Sequence, residues 1–252
     1  WNVSNVKTLR RCFDQIEEFN QPIGGWNVSN VTNIAQLFQS SGFNQSINDW
    51  DVSNVTDMQQ TFAYNYKFDY PLDKWNVSNV KNMLQTFSNS PFNQDISGWD
   101  VSNVNNMYGL FSTNNVFNQD ISDWDVSNVT EMGNMFYKAT LFNQSIGNWN
   151  VINVKEMKQM FYQATSFNQP IGDWNVSNVE NMNGMFYITP FNQPIGNWNV
   201  SNVKDMGFMF SSASNFNHPI GNWNVNNVTE MGSMFNVAFI FNQPIGNWDV
   251  SN

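Results

Sequence analysis

The sequence of 252 residues has little of the chemistry on which most catalytic and cofactor sites depend. It contains one cysteine and one histidine, and charged residues make up only 12% of the chain. The single cysteine, Cys12, excludes a disulfide within the chain, so the fold must be held by packing and hydrogen bonds. The single histidine, His218, leaves no Cys/His cluster of the kind that binds zinc. No cofactor and no metal site are therefore predicted.

Basic residues are also scarce, since ten Lys and Arg stand against twenty Asp and Glu for a net charge of -10. This charge opposes binding to a nucleic-acid backbone or to an anionic membrane surface. Long apolar runs are absent as well, so no membrane-spanning segment is predicted, and no signal peptide precedes Trp1. Nucleic acid is not expected as a partner.

The dominant feature of the chain is a repeat. All eleven tryptophans are spaced by 24 or 25 residues, which divides the chain into ten units and the start of an eleventh. With Trp as place one, a unit usually reads W-N/D-V-S-N-V-x-x-M-x-x-M/L-F and, after a variable stretch, F-N-Q-x-I. Self-similarity at this period is typical of stacked repeats. Residues 1–252 are therefore predicted to form a single repeat-array domain, cut from a longer array and lacking its caps.

The pattern within a unit favours one short strand and one short helix. Trp and Val at places one and three alternate with Asn or Asp, as in a half-buried strand. Apolar residues at places six, nine, twelve, thirteen and sixteen, such as Val129, Met132 and Phe136, fall on one helical face. The predicted fold class is α/β: a right-handed, leucine-rich-repeat-like solenoid of ten coils of 24–25 residues, each with one strand in a parallel sheet and one helix.

The whole chain resembles a known repeat family through W-N/D-V-S-N-V-x-x-M-x-x-M-F with F-N-Q-x-I. This motif is similar to the repeat of the BspA-like leucine-rich-repeat surface proteins, which also occurs in mycoplasma lipoproteins of unknown function. The resemblance implies an exported, surface-attached protein with a role in adhesion. An extracellular or cell-surface location is expected on this ground alone.

The inward places and the Asn places look structural. The Trp row is predicted to be core, while Asn at places two and five and in F-N-Q is predicted to form hydrogen-bond ladders between coils. Diversity lies at places ten, eleven, fourteen and fifteen. Tyr137, Tyr162 and Tyr187 occupy place fourteen of three consecutive units, and a row of exposed aromatic residues is typical of an interface. These tyrosines are the candidate partner-binding residues, although they could equally cover their helix ends.

The reactive residue types favour structural roles. His218 replaces the Gln of F-N-Q, which indicates a hydrogen bond in the loop, and Cys12 at place twelve is most simply a small core residue. The alternative to purely structural roles is a calcium site at one edge of the stack, because aspartate carboxylates, which are hard oxygen ligands, would gather there. Its ligands would come from five aspartates: Asp95, Asp100, Asp120, Asp123 and Asp125.

We therefore expect a non-catalytic surface scaffold for adhesion or protein interaction, with a protein or cell-surface ligand as partner. The alternative is a self-assembling fibre or shell component, in which copies associate end to end through uncapped terminal coils. An enzyme such as a glycosidase ranks last, because no pair of carboxylates is fixed in a cleft. If the end coils stay open, they should self-associate or fray.

Overall fold

A computed structural model describes residues 1–251 of the chain as ten stacked coils. Nine parallel bridges join place eight of each coil to place eight of the next, from Thr8 to Glu230. Each coil starts at its Trp, so that coils 1 to 10 are residues 1–25, 26–49, 50–74, 75–98, 99–123, 124–148, 149–173, 174–197, 198–222 and 223–247. The predicted coil length and order are therefore present, and each coil lies against its sequence neighbours.

The predicted α/β architecture is wrong, because residues 1–251 contain neither a helix nor an extended strand. Where a helix was expected, the backbone makes successive tight turns. In coil 3 the Thr61 amide donates to the Met58 carbonyl at 3.1 Å, and the Asn65 amide donates to the Phe62 carbonyl at 3.2 Å. Such bonds close turns over three residues, whereas an α-helix needs bonds over four.

Each run of turns depends on two residues with positive φ, at places eleven and fifteen of every coil. Gln60 and Tyr64, for example, have φ of 53° and 56°. Glycine fills this position only at Gly109 and Gly184; the other eighteen are residues with side chains. Left-handed backbone at such residues costs on the order of 1 kcal/mol or more. The stacking of the coils must offset that cost.

The offset comes from backbone hydrogen bonds between coils. Amides at places nine, eleven, thirteen and fifteen of one coil donate to carbonyls at places eight, ten, twelve and fourteen of the next. In coil 3 the donors Met58, Gln60, Phe62 and Tyr64 reach Asn82, Leu84, Thr86 and Ser88 at 2.8 to 3.0 Å. Amides that would close a helix within one coil therefore join two coils instead. The residues at places nine, twelve, thirteen and sixteen still share a face, because successive three-residue turns repeat at nearly the helical spacing.

The predicted strand at Trp-Asn-Val is also wrong, although the direction of its side chains is right. In coil 3 the Trp50 amide closes a turn to Ile47, and the Val55 amide closes a turn to Val52. The segment between them makes no backbone bond to a neighbouring coil within the described residues. Trp and Val nevertheless point inward, and the tryptophans of coils 3 to 10 are only 2–4% exposed.

The core consists of aromatic stacks that run from coil to coil. Within coil 6, Phe136 packs on the loop residue Phe142 with ring centroids 3.8 Å apart, and Phe136 lies 5.7 Å from Phe161 of the next coil. The tryptophans stack in the same direction, as Trp149 and Trp174 do at 6.5 Å. Each buried indole N–H donates to a carbonyl near the end of the coil two before its own, as Trp149 of coil 7 does to Ile121 of coil 5 at 3.1 Å. The apolar core therefore leaves no buried indole donor unpaired in coils 3 to 10.

Asparagine ladders between coils are confirmed at place five and in the F-N-Q loop. The Asn54 amide group donates to the Ser29 carbonyl of the preceding coil at 2.8 Å, and the bond recurs along the array. In the loop, Asn143 donates its backbone N–H to the Asn118 side chain of the preceding coil at 2.9 Å. Place two does not form such a ladder. Its side chain instead accepts from place four of its own coil, as Asp51 does from Ser53 at 3.1 Å.

Candidate functional site

The three tyrosines singled out in the sequence form one continuous stack on coils 6 to 8. The ring centroids of Tyr137 and Tyr162 lie 4.8 Å apart with an interplanar angle of 18°, and those of Tyr162 and Tyr187 lie 4.4 Å apart at 12°. All three side chains are half-buried. The stacked faces bury each other, and the remaining ring surface is available to a partner.

Burial against its two neighbours raises the pKa of Tyr162 above its ordinary value, with smaller contributions from Tyr187 and Tyr137. The phenol therefore stays protonated and neutral at physiological pH. A row of tyrosines combines apolar ring surface with hydroxyl groups that can donate or accept hydrogen bonds.

A cationic side chain borders this stack, and a second cation–aromatic pair lies at place ten; the sequence pattern did not single out either. The Lys138 ammonium lies 5.2 Å from the Tyr137 ring centroid, and the Lys158 ammonium lies 5.6 Å from the ring of Tyr108. The Tyr108 ring covers Gly133 of the next coil, where a Cβ would stand 3.0 Å from two ring carbons. Because Tyr108 reaches across an intervening coil, only the stacked structure brings it near Lys158.

The fold does not require tyrosine at place fourteen. Coils 4, 5 and 9 carry Ser88, Ser112 and Ser211 there, and these serines are buried without disturbing the turns. The backbone at place fourteen closes the same turn in either case, as Tyr162 does with Gln159 and Ser88 does with Gln85. The tyrosine stack is therefore an addition to a common scaffold.

The residues at place eight form a polar row along the array, and the carboxyl group of Glu156 in this row has a shifted pKa. Burial raises the pKa of Glu156 above its ordinary value, with a smaller contribution from Glu131, while its bond from the Lys158 amide acts in the opposite direction. Glu156 Oε1 accepts that amide at 2.8 Å, and Oε2 accepts from Asn181 at 3.3 Å. These bonds give Glu156 a structural role in the turn.

The two reactive residue types behave differently from each other. The His218 ring nitrogen Nε2 lies 3.1 Å from the Asn192 carbonyl, which is the loop hydrogen-bonding role predicted for it. The prediction that Cys12 is a core residue is wrong, because its side chain is exposed. Place twelve is buried where coils of this chain pack on both sides, as at Leu37, whereas Cys12 lies in coil 1 and has a neighbouring coil on one side only.

Four of the five aspartates considered for calcium, Asp95, Asp100, Asp120 and Asp125, accept hydrogen bonds within their own loops. Asp95 accepts from the Ser97 amide and Asp120 from the Ser122 amide, each at 2.9 Å, and these serine hydrogen bonds lower the pKa of both carboxyls. Between residues 1 and 251, no three His, Cys, Asp or Glu side chains are grouped so that they could hold a metal ion. The calcium alternative therefore has no support in the geometry.

The fold and this surface together define the class of protein: a tandem array of turn-rich coils joined by backbone ladders, with an aromatic stack on its outer side. The chain belongs to the family described as Mycoplasma protein of unknown function, DUF285, which matches residues 1–98, 87–190 and 171–252. This match confirms a repeat shared with mycoplasma proteins but does not extend to BspA-like leucine-rich repeats. No curated protein matches the chain. Within the described part of the chain, no helix is long and apolar enough to cross a membrane.

Proposed function

We propose that this protein is a non-catalytic repeat scaffold that binds a protein or another cell-surface ligand and acts in adhesion. The observation that carries the proposal is the Tyr137–Tyr162–Tyr187 stack, which the fold does not require. Stacked, half-buried tyrosines offer a rigid aromatic surface that loses little side-chain entropy on binding, and tyrosine is enriched among residues that dominate binding energy.

The proposed location is the cell surface or the extracellular space. Its support is the resemblance of the repeat to that of BspA-like surface proteins, together with membership of a mycoplasma repeat family. The net charge of -10 disfavours nucleic acid as the partner. The non-catalytic role is supported by the way the polar side chains are used, since Asp, Asn, Gln and His residues hydrogen-bond within or between coils.

Replacing Tyr137, Tyr162 and Tyr187 together by Ser tests the proposal. Serine is the residue of coils 4, 5 and 9 at this place, so the coils should still form. Loss of two stacked ring pairs should lower the free energy of unfolding by about 1 to 3 kcal/mol. Adhesion of protein-coated beads to cultured animal cells should fall by roughly tenfold, because three anchoring side chains are lost.

The matched control changes Thr56, Thr130 and Thr229 to Ser on a different row of the coils. These threonine hydroxyls donate to carbonyls of the preceding coil, and Ser keeps that donor. Adhesion of the control should equal that of the unmodified protein. Unchanged adhesion of the tyrosine variant would disprove the proposal, and concentration-dependent polymers of the unmodified protein would favour the self-assembling fibre.

A further inference from the structure

A second surface feature lies on coil 3, in the loop that follows its run of turns. Asn65 is fully buried and makes three hydrogen bonds: its amide group donates to the Phe43 carbonyl at 2.9 Å, and its Oδ1 accepts the amides of Lys67 and Phe68 at 3.0 Å. Because both ends of this side chain are bonded, the backbone between Tyr64 and Phe68 has one defined conformation.

Coil 5 contains the same locked loop with different exposed side chains. Asn114 is fully buried, donates to the Phe92 carbonyl at 2.8 Å and accepts the amides of Val116 and Phe117 at 3.2 and 3.0 Å. The residues Tyr64, Tyr66 and Lys67 of coil 3 correspond to Thr113, Asn115 and Val116 of coil 5. The loop therefore forms with the residues of coil 3 or with those of coil 5, and the fold does not require Tyr64, Tyr66 and Lys67.

These three residues line a cavity of about 410 Å³ together with Glu17 and Ser40 of the two preceding coils. The cavity has room for a small molecule, since ligand pockets span roughly 300 to 1,000 Å³. Gly42 lies beside it, and a Cβ there would stand 1.7 Å from the Glu17 carbonyl oxygen, so that only glycine lets coils 1 and 2 approach this closely.

The most exposed ring of the cavity is held in place. Tyr66 is 67% exposed, yet its hydroxyl accepts a hydrogen bond from the Asn89 side chain of coil 4 at 3.1 Å. Tyr64, on the same loop, is 39% exposed. An exposed ring fixed at its hydroxyl is a preorganised platform, because little conformational freedom remains to be lost when a ligand packs on it.

The cavity is lined by one acidic and one basic residue, Glu17 and Lys67, whose charges balance. Within the described residues, Glu17 and Lys67 form no salt bridge with each other or with another side chain. A ligand must then offer donors to a carboxylate, acceptors to an ammonium and an apolar face to a tyrosine ring. Saccharide hydroxyls donate and accept, and the C–H face of a sugar ring is apolar.

We propose that the cavity bordered by Glu17, Ser40, Tyr64, Tyr66 and Lys67 binds a neutral saccharide of one or two rings. The C–H face of the sugar packs on Tyr66, while its hydroxyls donate to Glu17 and accept from Lys67. This inference goes beyond the scaffold role, and it does not depend on the tyrosine stack of coils 6 to 8.

Saturation-transfer NMR of residues 1–252 with a panel of glucose, galactose, mannose, N-acetylglucosamine and lactose tests the site. At least one of these sugars should receive saturation from the protein. The triple variant Tyr64→Thr, Tyr66→Asn, Lys67→Val, which places the coil 5 residues on coil 3, should bind that sugar about tenfold more weakly or not at all. The fold should survive, because coil 5 carries this loop already.

Two further variants separate the site from non-specific binding. Asn115→Ala with Val116→Ala changes the equivalent loop of coil 5 and should leave saccharide binding unchanged. Tyr137→Ser with Tyr162→Ser and Tyr187→Ser should also leave it unchanged, whatever that variant does to adhesion. Absence of binding by every sugar of the panel, binding that survives the coil 3 exchange, or binding of phosphocholine in place of the sugars would each overturn the proposal.

Discussion

At the scale of the residue, the tryptophan that begins a coil both fills the core and ties its coil to earlier ones. Trp149 of coil 7 is 4% exposed, stacks on Trp174 of coil 8 and donates its indole N–H to the Ile121 carbonyl at the end of coil 5. No smaller aromatic residue offers both the ring area and a donor at that distance. The near-complete burial confirms the inward orientation predicted from the alternation with Asn and Asp.

We predict that Trp149→Ala lowers the free energy of unfolding by about 3 to 5 kcal/mol, because the change opens a cavity and leaves a buried carbonyl without its donor. Trp1→Ala is the matched control, since Trp1 is 91% exposed and its loss should cost less than about 0.5 kcal/mol. Chemical denaturation followed by circular dichroism measures both. Equal midpoints for the two variants would contradict the assignment of the Trp row to the core.

At the scale of the element, the run of turns is stable only as part of a stack. Its left-handed residues at places eleven and fifteen are mostly Gln, Ser, Asn and Lys, and these gain their compensation from amides that donate to the next coil. Side chains add a second set of links on the Trp side of the coil, where backbone bonds between coils are absent from the described residues. On that side, the Asn side chain of place five joins neighbouring coils by donating to a carbonyl of the preceding coil.

We predict that changing Asn153, Asn178 and Asn202 to Ala lowers stability by about 1 kcal/mol apiece, since each donates to a carbonyl of the preceding coil at 2.7 to 2.8 Å. The comparison set at place two accepts only from its own coil, at 3.2 to 3.3 Å, and should cost about half as much. That set is Asn150, Asn175 and Asn199. Thermal melts of the two triple variants provide the measurement, and a greater loss from the place-two set would show that the links between coils are not the stabilising ones.

At the scale of the whole molecule, stability is passed from coil to coil. Each coil packs mainly on its neighbours, so the free energy of the array approximates a sum over coils and the interfaces between them. The backbone amides at places nine, eleven, thirteen and fifteen donate to the following coil. The array is therefore directional, and a coil gains protection for these amides only when another coil follows it.

We predict a sharp change in hydrogen exchange between coils 9 and 10 of residues 1–252. In coil 9 the amides of Met206, Phe208, Phe210 and Ser212 donate to coil 10 at 2.7 to 2.9 Å and should exchange slowly. The equivalent amides in coil 10 have no acceptor among the described residues and should exchange fast: Met231, Ser233, Phe235 and Val237. Equal protection in both coils, measured by NMR, would contradict this direction of the ladder and would indicate that another copy covers coil 10.

The sequence by itself determined the repeat, the length of each coil and which side chains point into the core. The Trp spacing defined the coils, the alternation at Trp-Asn-Val identified the inward side chains, and the recurring Asn indicated hydrogen-bond ladders at place five and in the F-N-Q loop. It also put Tyr137, Tyr162 and Tyr187 in one row. These features follow from periodicity, because a side chain repeated at the coil length must meet its own copies whatever the backbone does in between.

Only the tertiary structure decided the backbone and the neighbours of the candidate sites. The spacing of Val129, Met132 and Phe136 suits a helix and a run of three-residue turns equally well, and positive φ at residues such as Gln60 carries no glycine signal. The choice is made by bonds between coils, which a local pattern does not contain. For the same reason, Tyr108 meets Lys158 from a different coil, and Glu17 and Lys67 line one cavity from different coils, although each side chain alone looks like an ordinary surface residue.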